Sequence, residues 1–329
     1  MRLLNLPSLI QHEVYKNMTP KEMLILSMAS NRILDSMKQF KWDVTTVRII
    51  FNEDEIQISF AMKYGNDRDW DDYIYVETNS FPDIRCMTLV DDSLCYFNHV
   101  FKRPVPEEMY SLTFKLFSKS VGLKLHVDID GIHNYSLIPN VSVASLDDRS
   151  IPIHFIDEFI KSNPELEALQ LNIEDIEGSP SSKMFSVKSS LIHYTKVPFT
   201  NYMRHFKGRD AMFVSSSDKV SIHVLEFLEN WMKNEYSDNL ELLYIECLYE
   251  EAYRGRVFDR FRNKLKPWNG TEMPRFYRFG TELKSNFGIK PQSYDFEDGF
   301  YIEREIDGQV ALLKLRPWFM SFWILKTHN

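Results

Sequence analysis

The segment HVDID, residues 126–130, sets His126, Asp128 and Asp130 at alternate positions. Side chains of an extended strand alternate between its two faces, so these three would share one side. An imidazole and two carboxylates on one face could ligate a divalent cation. A metal centre also needs ligands converging from a second segment, and no second cluster of that kind accompanies this one in the sequence. The reading adopted is a strand with a wet face, its other face carrying Leu125, Val127 and Ile129 towards a core. No metal and no cofactor are expected.

Other reactive residue types are equally sparse in motif. His154 and His223 stand in matching places of two similar segments, and read as buried or helix-capping residues rather than a catalytic pair. SVASLDD and SSSDK place serines near acids without the G-x-S-x-G elbow that exposes a nucleophile. No G-x-x-x-x-G-K-[ST] loop is present to cradle phosphates. Cys86, Cys95 and Cys247 have no C-x-x-C spacing; an odd, sparse set reads as reduced core thiols of a cytoplasmic or nuclear protein. RGRVFDRFRNKLK, from Arg254 to Lys266, is the one basic stretch, an exposed face open to an acidic partner.

The elements that would carry these residues belong to a globular chain. Of 329 residues, 44% are hydrophobic and 26% charged, and 24 phenylalanines supply a large core. A chain of this length accommodates roughly two domains. The formal charge of −8 opposes a nucleic-acid role. Asn5 and Pro7 break the first apolar run, and no run of about 18 apolar residues follows, so no membrane span is expected.

Residues 3–37, LLNLPSLIQHEVYKNMTPKEMLILSMASNRILDSM, read as three short helices. Pro7 suits a first helical position, and Leu9, Ile10 and Val14 recur on one face. Thr19, Pro20 and Glu22 form a capping box ahead of Met23, Leu24 and Leu26. Ser30 caps a third helix bearing Ile33, Leu34 and Met37. Helices this short are marginal alone and must pack on something else. From Trp42 the period changes: VTTVRIIF and EIQISFAMKY flank the acidic turn NEDE as a hairpin.

Further on, helix, polar break and alternating strand recur three times, ending in LKLHVDI, LEALQLNI and LELLYIEC. Such repetition predicts a curved α/β array of leucine-rich-repeat character, with these three strands in one sheet. Phe227, Leu228 and Trp231 would face that sheet from a helix, while Gln170 and Tyr244 would line its other side, unless the hairpin of residues 42–78 or the C-terminal strands cover it. A hairpin turning at Asp307-Gly308 and a last strand, Phe319 to Leu325, would close the domain.

Leu6-Pro7, Ile10, Val14, Thr19-Pro20, Met23, Leu24, Leu26, Ser27 and Ser30 together resemble the F-box, with Ile33 where that family frequently has tryptophan. LEFLENWMKNEYSDNLELLYIEC and the later IEREIDGQVALLKL and FWIL resemble the F-box associated type 2 domain of the F-box family expanded in nematodes. The resemblance implies an α+β protein with an F-box over residues 1–41 and a target-recognition domain over 42–329. It implies docking on a Skp-type adaptor through Leu6, Pro7, Ile10, Val14, Leu24 and Leu26, and through that adaptor on a cullin. The chain would then be a non-catalytic, substrate-recognising subunit of a ubiquitin ligase, holding an unknown protein target. The alternatives are a scaffold that binds the adaptor without directing ubiquitination, and an enzyme with a cryptic polar pocket in the α/β domain.

Overall fold

The computed structural model describes residues 3–51, 55–62, 72–77, 86–89, 93–96, 105–120, 124–130, 138–147, 151–172, 180–193, 199–215, 220–236, 238–247, 253–268, 276–277, 294–295 and 299–325. The chain is mixed α+β and separates into two compact units, Met1–Ala144 and Ser145–Asn329. The boundary expected after residue 41 falls inside the first unit.

The first unit begins with a 3-10 turn, Leu3–Asn5, and helices α1 (Ser8–Lys16), α2 (Pro20–Ala29) and α3 (Asn31–Met37). Pro7 stands one residue before α1, as its N-cap rather than its first helical residue. At α2 the Thr19 hydroxyl accepts the Glu22 amide at 3.2 Å, and the Glu22 carboxylate accepts the Thr19 amide at 2.8 Å. Two of the donors that a helix start leaves orphaned are thereby satisfied. Ser30 does the same for α3, accepting from the Arg32 amide at 3.2 Å. Thr19→Ala should cost about 1 kcal/mol of stability, read as a shift of the urea midpoint at constant slope.

Strands β1 (Val44–Phe51), β2 (Glu55–Met62), β3 (Asp72–Glu77), β4 (Cys86–Leu89) and β5 (Ser93–Tyr96) follow as an antiparallel meander, then helix α4 (Val105–Phe117) and strand β6 (Lys124–Asp130). β6 pairs in parallel with β1 on the side away from β2. The register aligns Val47 with Phe60 and Leu125, Ile49 with Ile58 and Val127, and Phe51 with Ile56 and Ile129. All nine side chains are buried, so period-two alternation on three strands builds one apolar face. Phe117 of α4 meets Phe60 at 5.3 Å between ring centroids, and α2 packs on both α3 and α4. On the opposite side of β6, Asp128 pairs with Arg48 at 2.6 Å. The side chains of His126 and Asp130 lie outside the described residues.

Strand β7 (Val143–Asp147) spans the division between the units. The second unit continues with α5 (Ile153–Ser162), β8 (Ala168–Asn172), a 3-10 turn (Lys183–Ser186), β9 (Ser189–His193), α6 (Phe199–His205), β10 (Asp210–Ser215), α7 (Val220–Met232) and β11 (Leu242–Cys247). After α8 (Tyr253–Phe261) come β12 (Lys266–Pro267), β13 (Phe276–Tyr277), β14 (Tyr294–Asp295), β15 (Phe300–Glu303), β16 (Val310–Arg316) and β17 (Phe319–Leu325). Strands β8, β9, β10 and β11 lie side by side in chain order and are mutually parallel. β17 then runs antiparallel beside β11, followed outward by β16, β15 and β12, while β13 and β14 pair with each other.

The helix-covered face of this sheet carries Ile192, Phe213, Leu243, Ile245 and Phe322. Phe227 and Trp231 of α7 meet the Phe322 ring edge-on at 5.1 and 5.0 Å, and Leu228 is fully buried beside them. Tyr202 of α6 packs on Phe213 and donates its hydroxyl to Ser190 at 3.0 Å. The other face is closed as well: Leu191, Met212, Val214, Leu242, Tyr244, Leu312 and Trp323 form a buried cluster. Tyr244 is only 6% exposed and stacks on Phe319 at 5.5 Å, so it does not line an open surface; Gln170 is half-buried. LLYI in β11 is apolar at every position because both its sides meet a core.

The β15–β16 hairpin turns through Gly308, whose φ of +72° is a left-handed conformation that favours glycine. Arg304 is almost entirely buried there. Its guanidinium sits 5.2 Å from the Trp231 ring centroid and binds the Asp307 carboxylate through two nitrogens. Hydrogen bonds from Arg304 hold the Asp307 carboxyl down at about 2.

Candidate functional site

The N-terminal helices present an inversion of the usual amphipathic arrangement. The inward side of α1 is aromatic and polar. Tyr15 is wholly enclosed, with its ring 6.1 Å from Phe40 and 6.4 Å from Trp42. Ser36 donates to the Ile33 carbonyl at 2.9 Å, so the Tyr15 hydroxyl is the donor in its 2.7 Å bond to Ser36. His12 stacks on Phe40 at 4.2 Å. Gln11 turns back to the Leu6 carbonyl at 2.7 Å and fixes how the chain enters α1.

These inward contacts rotate the aliphatic residues of α1 outward. Leu9 is 71% exposed, Ile10 47% and Val14 38%. Leu4, one turn earlier, is exposed too. Ile10 and Val14 lie four residues apart and stack along one side of the helix. Fully burying each such side chain would contribute about 1.5–3 kcal/mol.

The six residues expected to dock do not all lie on this side of the helix. Ile10 and Val14 are on it, Pro7 is exposed at its start, and Leu6 and Leu26 are half-buried. Leu24 is 0% exposed, held where α2 packs on α3 and α4, and so belongs to the interior of the first unit. Leu9 was grouped with Ile10 and Val14 by spacing, yet it was left out of the docking set despite being the most exposed of all. The signal for it was present: Gln11, His12 and Tyr15 carry the groups that seek hydrogen bonds and ring contacts inside, which leaves Leu9 on the opposite side.

Elsewhere, an open pocket of about 630 Å³ is lined by Arg204, His205, Lys207, Tyr236, Asp238 and Asn239 among others. Two of its ionisable groups are engaged in structure. Arg204 is bound to Glu226 at 2.9 Å. The Tyr236 hydroxyl bonds Asn230, and burial pushes it up to about 12. Burial also lowers His193 on β9 from its ordinary value, against the attraction of Asp147. His154 is exposed on α5, and His223 lies 3.8 Å from Glu226 on α7. Among the described residues no group of three or more His, Cys, Asp or Glu is placed to hold a metal, and no helix is long and apolar enough to cross a membrane. No protein-family model matches the chain, and no curated protein or solved structure matches it either.

Proposed function

We propose that this chain is the substrate-recognition subunit of a Skp–cullin–F-box ubiquitin ligase. In this reading residues 1–41 are an F-box that docks on a Skp-type adaptor, and 42–329 are an F-box associated type 2 domain with a leucine-rich-repeat-like array. The observation that carries the reading is the outward aliphatic side of α1, Leu9, Ile10 and Val14, on helices already braced by the Thr19 capping box. Such a surface exposes apolar area in water unless a partner covers it. A standard interface buries about 800 Å² per partner, within reach of three short helices.

The mechanism is positional. Residues 1–41 would anchor the chain to the adaptor and hence to the cullin, and residues 42–329 would hold the target where a ubiquitin-loaded enzyme can reach its lysines. Raising the local concentration of two reactants in this way accelerates a reaction without any catalytic group on the subunit itself. The protein would work in the cytoplasm or nucleus and would need no cofactor. Co-expression of the tagged chain with a Skp-type adaptor and a cullin tests this. Co-elution of all three through size-exclusion chromatography is the expected result. An adaptor complex that excludes cullin would support the non-degradative scaffold instead, and absence of an adaptor complex would end both readings.

A further inference from the structure

The basic stretch on and after α8 splits into two classes of side chain. One class is held by the chain itself. Arg256 donates to Ser221 at 2.9 Å, and Arg260 binds Glu229 at 2.7 Å, which ties one flank of α8 to α7. Lys264 pairs with Glu305 at 3.1 Å and Lys266 with Glu303 at 3.5 Å. The other class is Arg254 and Arg262, both exposed, with no ion pair among the described residues. Asp259 is three residues from Arg262 and does not bind it.

Arg254 and Phe258 lie one turn apart on α8, and Arg262 is the first residue after its end, at the next four-residue step. The Arg254 guanidinium lies 5.5 Å from the Phe258 ring centroid, and Phe258 meets Phe300 edge-on at 4.8 Å, which holds the ring in place. The result is a cation and an aromatic one turn apart with a second cation at the helix end, about 12 Å from the first at the helical rise. An extended strand advances about 13 Å over four residues, with positions 1, 3 and 5 on one side. We propose that this row binds an extended acidic segment of a protein target, with carboxylates at its first and fifth positions and an apolar residue between them over Phe258. The proposal rests on the second unit being the target-holding part of the chain.

Charge complementarity supports a short acidic peptide over other ligands. The chain as a whole carries −8, so an acidic partner is repelled elsewhere and steered to this row. A nucleic acid would run its phosphates past Glu303, Glu305 and Asp259 beside only two free arginines, a poor match for a polyanion. Arginine also offers the planar fork that fits a carboxylate.

The test is fluorescence anisotropy of the full-length protein with a labelled peptide of core Glu-Ala-Leu-Ala-Glu, against Gln-Ala-Leu-Ala-Gln. The glutamate peptide should bind at least about tenfold more tightly, and lose affinity as salt rises from about 0.05 to about 0.5 M. Arg254→Glu with Arg262→Glu should abolish the preference, whereas Arg254→Lys with Arg262→Lys should keep part of it. Both positions are exposed, so melting temperatures should coincide and serve as the folding control. Equal affinity for the two peptides, indifference to the charge reversal, or tighter binding of a single-stranded oligonucleotide would each overturn the proposal. Adaptor binding, followed on the same samples, depends on the first unit, so loss of one function reports nothing about the other.

Discussion

Leu9→Asp combined with Val14→Asp should abolish co-purification with a Skp-type adaptor while leaving the protein folded. Leu9 projects into solvent, 71% exposed, whereas Val14 is 38% exposed and keeps part of its surface covered. The expected change in unfolding free energy is about 1–2 kcal/mol, from the lower helix propensity of aspartate and the partly covered carboxylate at position 14. The effect on the complex is of a different size. Each aliphatic side chain buried by a partner contributes about 1.5–3 kcal/mol, and each introduced carboxylate must also be stripped of water. A combined loss of about 5 kcal/mol is between three and four orders of magnitude in affinity, enough to empty a pull-down. Leu24→Ala supplies the contrast. It removes an enclosed side chain, should cost about 2–5 kcal/mol of stability, and should weaken binding only as far as it unfolds the first unit. Undiminished adaptor binding by the double aspartate variant would refute the docking surface.

Gly208→Ala should be strongly destabilising, more so than Ala at Gly255 among the described glycines. A Cβ at this position would stand 2.1 Å from the Val187 carbonyl oxygen and 2.5 and 2.7 Å from carbons of the Phe206 ring. Neither neighbour has freedom to retreat. Phe206 is 2% exposed and packs against Tyr202 at 5.6 Å. The backbone on either side is stitched to the segment before β9, with Lys207 donating to Phe185 and Arg209 to Lys188, both at 2.7 Å. Relief therefore requires the turn between α6 and β10 to pull away from β9. A cost at or above the usual 1–3 kcal/mol of overpacking is expected, about 3 kcal/mol or more. Urea unfolding gives the answer: a midpoint equal to the wild type's would show that the backbones do not approach so closely.

Local chemistry made several elements legible from the residues alone. Thr19 and Glu22 satisfy each other's backbone donors within four residues, so the α2 start needed no knowledge of the rest of the chain. The β1–β2 hairpin followed from period-two alternation around an acidic turn, and the β15–β16 turn from Asp307-Gly308. Long-range facts were harder. Alternation in β11 separates Leu243 and Ile245 from Leu242 and Tyr244, yet it does not say which side another element covers. Both are covered, and Tyr244 was misplaced for that reason. Repeated helix and strand were legible, and β8 and β11 do share a sheet, but β9 and β10 between them carry no echo of the repeat. LKLHVDI became β6 of the first unit, beside β1, a partner about 80 residues earlier that only burial of a shared apolar row could select. Gly208 gave no warning either, since HFKGRD reads as any polar turn.

The position of β17 governs how the protein must be made. This strand sits between β11 and β16, and its Phe322 is the ring on which Phe227 and Trp231 close. Strands β1 to β6 and helix α4 have left the ribosome long before residues 319–325, whereas β11 has to wait for them. At usual translation rates that gap lasts on the order of ten seconds. Through it the nascent second unit offers an unpaired β11 edge and two large aromatics without their lid, a state that invites chaperones and mispairing. A premature stop ahead of Phe319 would make that waiting state permanent. The product would keep the strands of the first unit and lack the strand on which β11, Phe227 and Trp231 close.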